Sequence, residues 1–142
     1  MILCDTGVFI QLVRGNSTFE REILRIGSGN LGISDISVGD IYFGIRRGES
    51  RRTKELIRYF QRFTLSKDVS KLFVEIMSDR SLPRMTIPDA LIAATAITNQ
   101  IQLFTLNVND FKFFCSVIFC RFTDWLINNN CSGIMADNFI IY

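Results

Sequence analysis

Short apolar runs alternate along this chain with longer segments whose apolar residues recur at helical spacing, and that alternation restricts it to one architecture. Ile2-Leu3-Cys4 is an apolar run closed by Asp5-Thr6-Gly7, which predicts a buried strand, a turn and then a helix. Over 18–26, Phe19, Ile23, Leu24 and Ile26 lie near helical spacing, glycines at 27 and 29 stop the helix, and Leu31-Gly32-Ile33-Ser34 reads as a second strand. From Ser37 onward Val38, Ile41, Tyr42 and Ile45 repeat at i, i+3, i+4 and i+7, predicting a third helix that ends at Gly48 and carries Asp40 beside its apolar stripe. A basic amphipathic helix within 46–62 leads to a short strand at Phe63-Thr64-Leu65. Val69, Leu72, Phe73, Ile76 and Met77 then form the cleanest helical stripe, expected to be core throughout. Pro88 introduces an alanine-rich helix over 89–98, and a strand over 102–106 delivers Asn107 and Asp110 at its end. Strands alternating with helices imply an α/β fold, a parallel β-sheet flanked by α-helices in a single domain. Such sheets bind ligands beyond the carboxyl ends of their strands, at the switch point, where Asp5 and the 107–110 loop are expected.

Of the 142 residues 48% are hydrophobic, thirteen of them Phe, which is enough to fill one core. The formal charge of +2 names no partner, so any nucleic-acid reading has to rest on local charge. Residues 46–62 hold seven of the sixteen basic side chains, opposed only by Glu49 and Glu55. Arg46, Arg47, Arg51 and Arg52 can grip RNA phosphates or a partner's acidic surface, with Tyr59 or Phe60 stacking on a base; equally, the run can be a solvated helix face with its aromatics in the core. The opening residues lack a basic leader, and the apolar run 113–120 is far shorter than the roughly 20 residues that span a bilayer, so a cytoplasmic protein without a membrane segment is expected. Residues 115–142 carry only Arg121, Asp124 and Asp137 as charges. The expected division is a domain over 1–122, with an edge strand at Ser116-Val117-Ile118-Phe119, and an extension over 123–142.

Histidine is absent, which excludes Ser-His-Asp and Cys-His catalysis. Cys4, Cys115, Cys120 and Cys131 form no C-x-x-C pair and are expected to be reduced thiols rather than zinc ligands. Phosphodiester hydrolysis without histidine calls for hard cations on carboxylate oxygens, and separated aspartates suit Mg²⁺ or Mn²⁺. Each candidate also has a plainer role. Asp5 can begin a turn, Asp89 can complete a capping box with Thr86, Asp110 can cap a short helix, and Asn107 can form an Asx turn. Asp35 is expected to cap or precede the third helix. Thr6, Ser34 and Ser37 are the hydroxyls placed near the centre.

Three motifs in order give the chain a specific likeness. Ile2-Leu3-Cys4-Asp5-Thr6, Ile87-Pro88-Asp89-Ala90-Leu91-Ile92-Ala93-Ala94 and Phe104-Thr105-Leu106-Asn107-Val108-Asn109-Asp110-Phe111 resemble the first acid, the third-acid helix and the closing element of the PIN-domain toxins of bacterial VapBC-type toxin–antitoxin pairs, over roughly residues 1–114. Gly39-Asp40-Ile41-Tyr42-Phe43-Gly44 stands where that family normally has a glutamate, and Gly7 where it often has a polar side chain. The resemblance implies a Mg²⁺- or Mn²⁺-dependent ribonuclease, a homodimer inhibited by a cognate antitoxin. It also implies that Asp5, Asp40, Asp89 and Asp110 are the catalytic metal ligands, assisted by Thr6 and Asn107. The one-methylene-shorter Asp40 leaves two readings open: an active nuclease, or a catalytically impaired module that binds antitoxin or RNA.

Overall fold

The computed structural model describes residues 1–114 and the backbone of 119–121. In chain order the elements are β1 (Ile2–Cys4), α1 (Thr6–Val13), α2 (Ser17–Ile26), β2 (Leu31–Ser34), α3 (Asp35–Gly44), α4 (Ser50–Ile57), β3 (Gln61–Phe63), α5 (Lys67–Ser78), α6 (Ile87–Thr98), β4 (Gln102–Thr105), α7 (Val108–Phe111) and β5 (Phe119–Arg121). All strands are parallel, in the order β3-β2-β1-β4-β5. The chain therefore builds outward from β1 through β2 to β3, then crosses back to place β4 on the other side of β1. That reversal makes the β1/β4 boundary the switch point, and Asp5 follows β1 directly.

Alternation along the strands divides the core into two layers, because successive side chains of a strand point to opposite faces. Cys4 and Phe104 enter one cluster with Val8, Phe9, Val38 and Ile41 of the helices, whereas Leu3 and Leu103 enter the other with Val69, Ile92, Ala93 and Phe111. Helices thus cover both faces of the sheet. Phe9 and Phe60 meet edge to face at 5.2 Å between centroids, a geometry worth about 1 kcal/mol beyond the area it buries.

Four local expectations change. The third helix starts at Asp35 and ends at Gly44, because Ser34 is its N-cap, accepting from the Ser37 backbone N–H at 3.0 Å; Asp35 sits inside the first turn and pairs with Arg62 at 2.5 Å. The third strand is Gln61–Phe63 rather than 63–65. It pairs with β2 in the register Gly32↔Gln61 to Ser34↔Phe63, and the Phe63 ring fills the space that a Cβ on Gly32 would occupy, so only glycine fits there. The α5 stripe is not wholly core: Val69 and Ile76 are buried, whereas Met77 is 44% exposed. Of the two aromatics at 59 and 60 only Phe60 is buried.

The edge strand beside β4 is Phe119–Arg121, while 115–118 and 122–142 lie outside the described residues. Among the described residues no helix is long and apolar enough to cross a membrane. Cys4 is a buried free thiol, raised well above the usual range by desolvation and then by the Asp5 charge.

Candidate active site

Asp5 is the N-cap of α1, so the end of β1 and the start of a helix fix its side chain together. Its Oδ1 accepts from the Thr6 backbone N–H at 2.6 Å and its Oδ2 from the Thr105 hydroxyl at 2.6 Å. Thr105 is fully buried at the end of β4, and its Oγ accepts in turn from the Asn107 backbone N–H at 3.0 Å. The order Asn107 N–H, Thr105 hydroxyl, Asp5 carboxylate is a continuous relay across the switch point. Asp5 is only 7% exposed, and desolvation raises its carboxyl above the usual value. The hydrogen bonds from Thr105 and Thr6 pull the other way, and the charges of Asp89 and Asp40 push it further up.

Those last two contributions show which carboxylates share the site. Asp40, half-buried on α3, accepts from the Thr6 hydroxyl at 3.4 Å, so Thr6 bridges the first and second acids: its N–H serves Asp5 and its hydroxyl serves Asp40. Asp89 lies in the first turn of α6. There the Thr86 hydroxyl donates to its Oδ2 at 2.6 Å and accepts from its backbone N–H at 3.3 Å, so Asp89 does stabilise the helix start while its charge reaches Asp5. Asp110 lies on α7 and accepts from the Asn107 side-chain amide. It is not among the charges that move Asp5. Ser34 and Ser37 are occupied with each other in the buried cap of α3, 2.9 Å apart.

Among the described residues no three carboxylate or thiol side chains stand close enough together to cage a metal ion as they are arranged, and no ion pair involves any of the four aspartates. Asp40, Asp89 and Asp110 rest instead on the neutral donors Thr6, Thr86 and Asn107. The donor chemistry nevertheless fits a hard divalent cation: every ligand is an oxygen, and Asp5 feels two like charges that no cation among the described residues offsets.

The basic candidates are mostly engaged elsewhere. Arg51 pairs with Glu55 at 3.1 Å and Arg52 with Glu20 at 2.5 Å, while the Arg46 backbone N–H donates to Glu49. The Arg47 side chain lies outside the described residues. Lys54 and Arg58, which sequence reasoning does not single out, line a cleft with Tyr42 on the far edge of α4. Thr105 and Thr86 are also missed as individual site residues. The available signal is a hydroxyl at the carboxyl end of an apolar strand and another three residues before an acid.

Residues 2–113 match the PIN domain family. The chain is 32% identical over 117 residues to "Ribonuclease VapC10" of Mycobacterium tuberculosis, covering 80% of this chain and 88% of that protein. It is 35% identical over 121 residues to "Ribonuclease VapC1" of Rickettsia felis, covering 78% and 88%. Its fold superposes on a chain of a toxin–antitoxin complex from Klebsiella pneumoniae with a TM-score of 0.71 at 24% identity, covering 83% of this chain and 96% of that one.

Proposed function

Because this chain belongs to the PIN domain family, we propose that it is an endoribonuclease, the toxin of a type II toxin–antitoxin pair, which hydrolyses RNA phosphodiesters with water and Mg²⁺ or Mn²⁺. The observation that carries the reading is the buried Asp5 at the switch point, held at both oxygens and facing the charges of Asp40 and Asp89. Relatives named ribonucleases support RNA as the substrate class. The likeness to a chain from a toxin–antitoxin complex supports a cognate antitoxin as partner. A homodimer in the cytoplasm, with residues 1–122 as the nuclease domain and 123–142 as an extension, completes the proposal.

Asp5, Asp40, Asp89 and Asp110 would hold the cation. Once bound, it supplies Lewis acidity toward the phosphate and the attacking water. The chain's own residues set the geometry. Thr6 and Thr105 fix the Asp5 carboxylate while leaving each oxygen a second lone pair, and Thr105 is a positioning residue because it acts through Asp5. Thr6 links Asp40 to the same point, Thr86 orients Asp89, and Asn107 orients Asp110. Burial of Asp5 keeps its carboxylate out of bulk water, in surroundings of lower dielectric where electrostatic interactions are stronger.

The deciding experiment measures cleavage of single-stranded RNA with Mg²⁺ or Mn²⁺, with chelator, and with Asp5→Asn. Cleavage that persists under both chelation and the substitution would end the reading of a metal-dependent nuclease built on Asp5. Asp40 favours a second reading, an impaired module that binds antitoxin or RNA, because its carboxylate is one methylene shorter than the family's glutamate and already rests on Thr6. Asp40→Glu is expected to raise the cleavage rate roughly tenfold, on the scale by which groups around a metal site tune activity. No gain with either ion would favour the binding module.

A further inference from the structure

The loop over 79–86 joins α5 to α6 and, with the last turn of α5, walls a cleft of about 640 Å³. Met77, Leu82 and Met85 supply apolar wall, and Asp79, Arg80 and Arg84 supply its charges. Asp79 forms no ion pair with either arginine; its Oδ1 accepts from the Ser81 N–H at 2.8 Å and from the Ser81 hydroxyl at 2.6 Å. Among the described residues neither guanidinium has an acidic partner, in contrast to Arg51, Arg52 and Arg62, which all do. Two unpaired guanidinium groups therefore border a concave surface where Met77 is left exposed.

Guanidinium groups suit phosphate, and an apolar wall suits the face of an unstacked base. Position ties the cleft to the site. Arg84 is two residues before Thr86, the side chain that holds Asp89, and the five residue steps from Arg84 to Asp89 span at most about 17 Å. We propose that this cleft is a substrate subsite that takes a single-stranded RNA nucleotide flanking the scissile bond, its phosphate on Arg80 and Arg84 and its base against Met77, Leu82 and Met85. The subsite rests on the ribonuclease reading for its place along the substrate, but its test does not depend on cleavage.

The test titrates a fluorescent single-stranded RNA oligonucleotide in chelating buffer, by anisotropy, with the full-length Asp5→Asn protein as parent. In that background Arg80→Ala/Arg84→Ala is compared with Arg21→Ala, which removes an exposed cation on α2. Both cleft arginines are exposed, so unchanged thermal melts are expected to show that folding is intact. The double variant is expected to bind roughly tenfold more weakly at low salt and to flatten the salt dependence by about 0.7 for each phosphate no longer neutralised. Arg84→Lys alone should retain most of the affinity, because the charge remains. Parent-like affinity and salt slope in the double variant overturn the subsite, as does an equal loss in Arg21→Ala. Should the wild-type chain cleave no RNA while the double variant still loses affinity, the ribonuclease reading falls and the RNA subsite stands. Intact cleavage with unmoved affinity reverses that outcome: the subsite falls and the ribonuclease reading stands.

Discussion

Asp5 combines a buried carboxylate, two hydrogen bonds that favour its charged form and two neighbouring acids that oppose it, and the balance raises its pKa above the ordinary 3.8. Between its unfolded and folded pKa values the native state holds a proton that the unfolded chain has released. Stability therefore falls as pH rises through that window, and the loss remains in full above it, at about 1.4 kcal/mol per unit of pKa difference. Asp5→Asn keeps an acceptor for the Thr6 N–H and presents an amide to the Thr105 hydroxyl, without the charge. In metal-free buffer the variant is expected to be more stable than the parent at neutral pH and to lose that advantage in acid, below the window, as denaturant melts at the two pH values will show. A variant less stable at neutral pH would mean that the two hydrogen bonds outweigh burial. The acid itself is legible in the sequence, as an aspartate closing an apolar strand. Its raised pKa is not, because it comes from burial and from the charges of Asp89 and Asp40 on α6 and α3, set against a hydrogen bond from Thr105, one hundred positions away.

The elements that read cleanly are those whose pattern is local. β1, β2 and β4 are short apolar runs, and α6 begins at a Thr-x-Pro-Asp start that carries both its cap and its acid. β3 is displaced because its register comes from Gly32 opposite the Phe63 ring, while Gln61 and Arg62 on this edge strand give no apolar signal. The start of α3 is displaced because Ser34 serves at once as the last residue of β2 and as the N-cap. In α6 structure and site share one hydroxyl, since Thr86 both caps the helix and holds Asp89. Thr86→Val removes both bonds at nearly constant volume. It is expected to destabilise the fold by about 1 kcal/mol in thermal or urea unfolding and to lower the cleavage rate, whereas Thr86→Ser should restore both. A Thr86→Val protein with unchanged stability would show that solvent replaces the cap.

At the scale of the whole molecule, strand order decides which distant segments meet. Helix–strand alternation predicts a parallel sheet with its site beyond the strand ends, and β1 beside β4 brings Asp5 to Thr105. The sequence cannot disclose that each outer acid rests on its own neutral donor, leaving the cluster spread until something draws it together. Folding thus gathers Asp5, Asp40 and Asp89 against mutual repulsion, with no protein cation among the described residues to offset it. A divalent ion that binds this arrangement and not the unfolded chain must stabilise the fold by mass action, by about 2.7 kcal/mol at one hundred times its dissociation constant. Titrating Mn²⁺ or Mg²⁺ into the chelator-treated protein is expected to raise the melting temperature in a saturable way. Asp5→Asn should abolish most of that rise even though it is the more stable protein without metal. A rise in the parent that Asp5→Asn largely lacks would separate a specific site from general screening, because screening by matched ionic strength acts on both. A rise of equal size in Asp5→Asn would mean that the acidic cluster at the switch point is not where the ion binds.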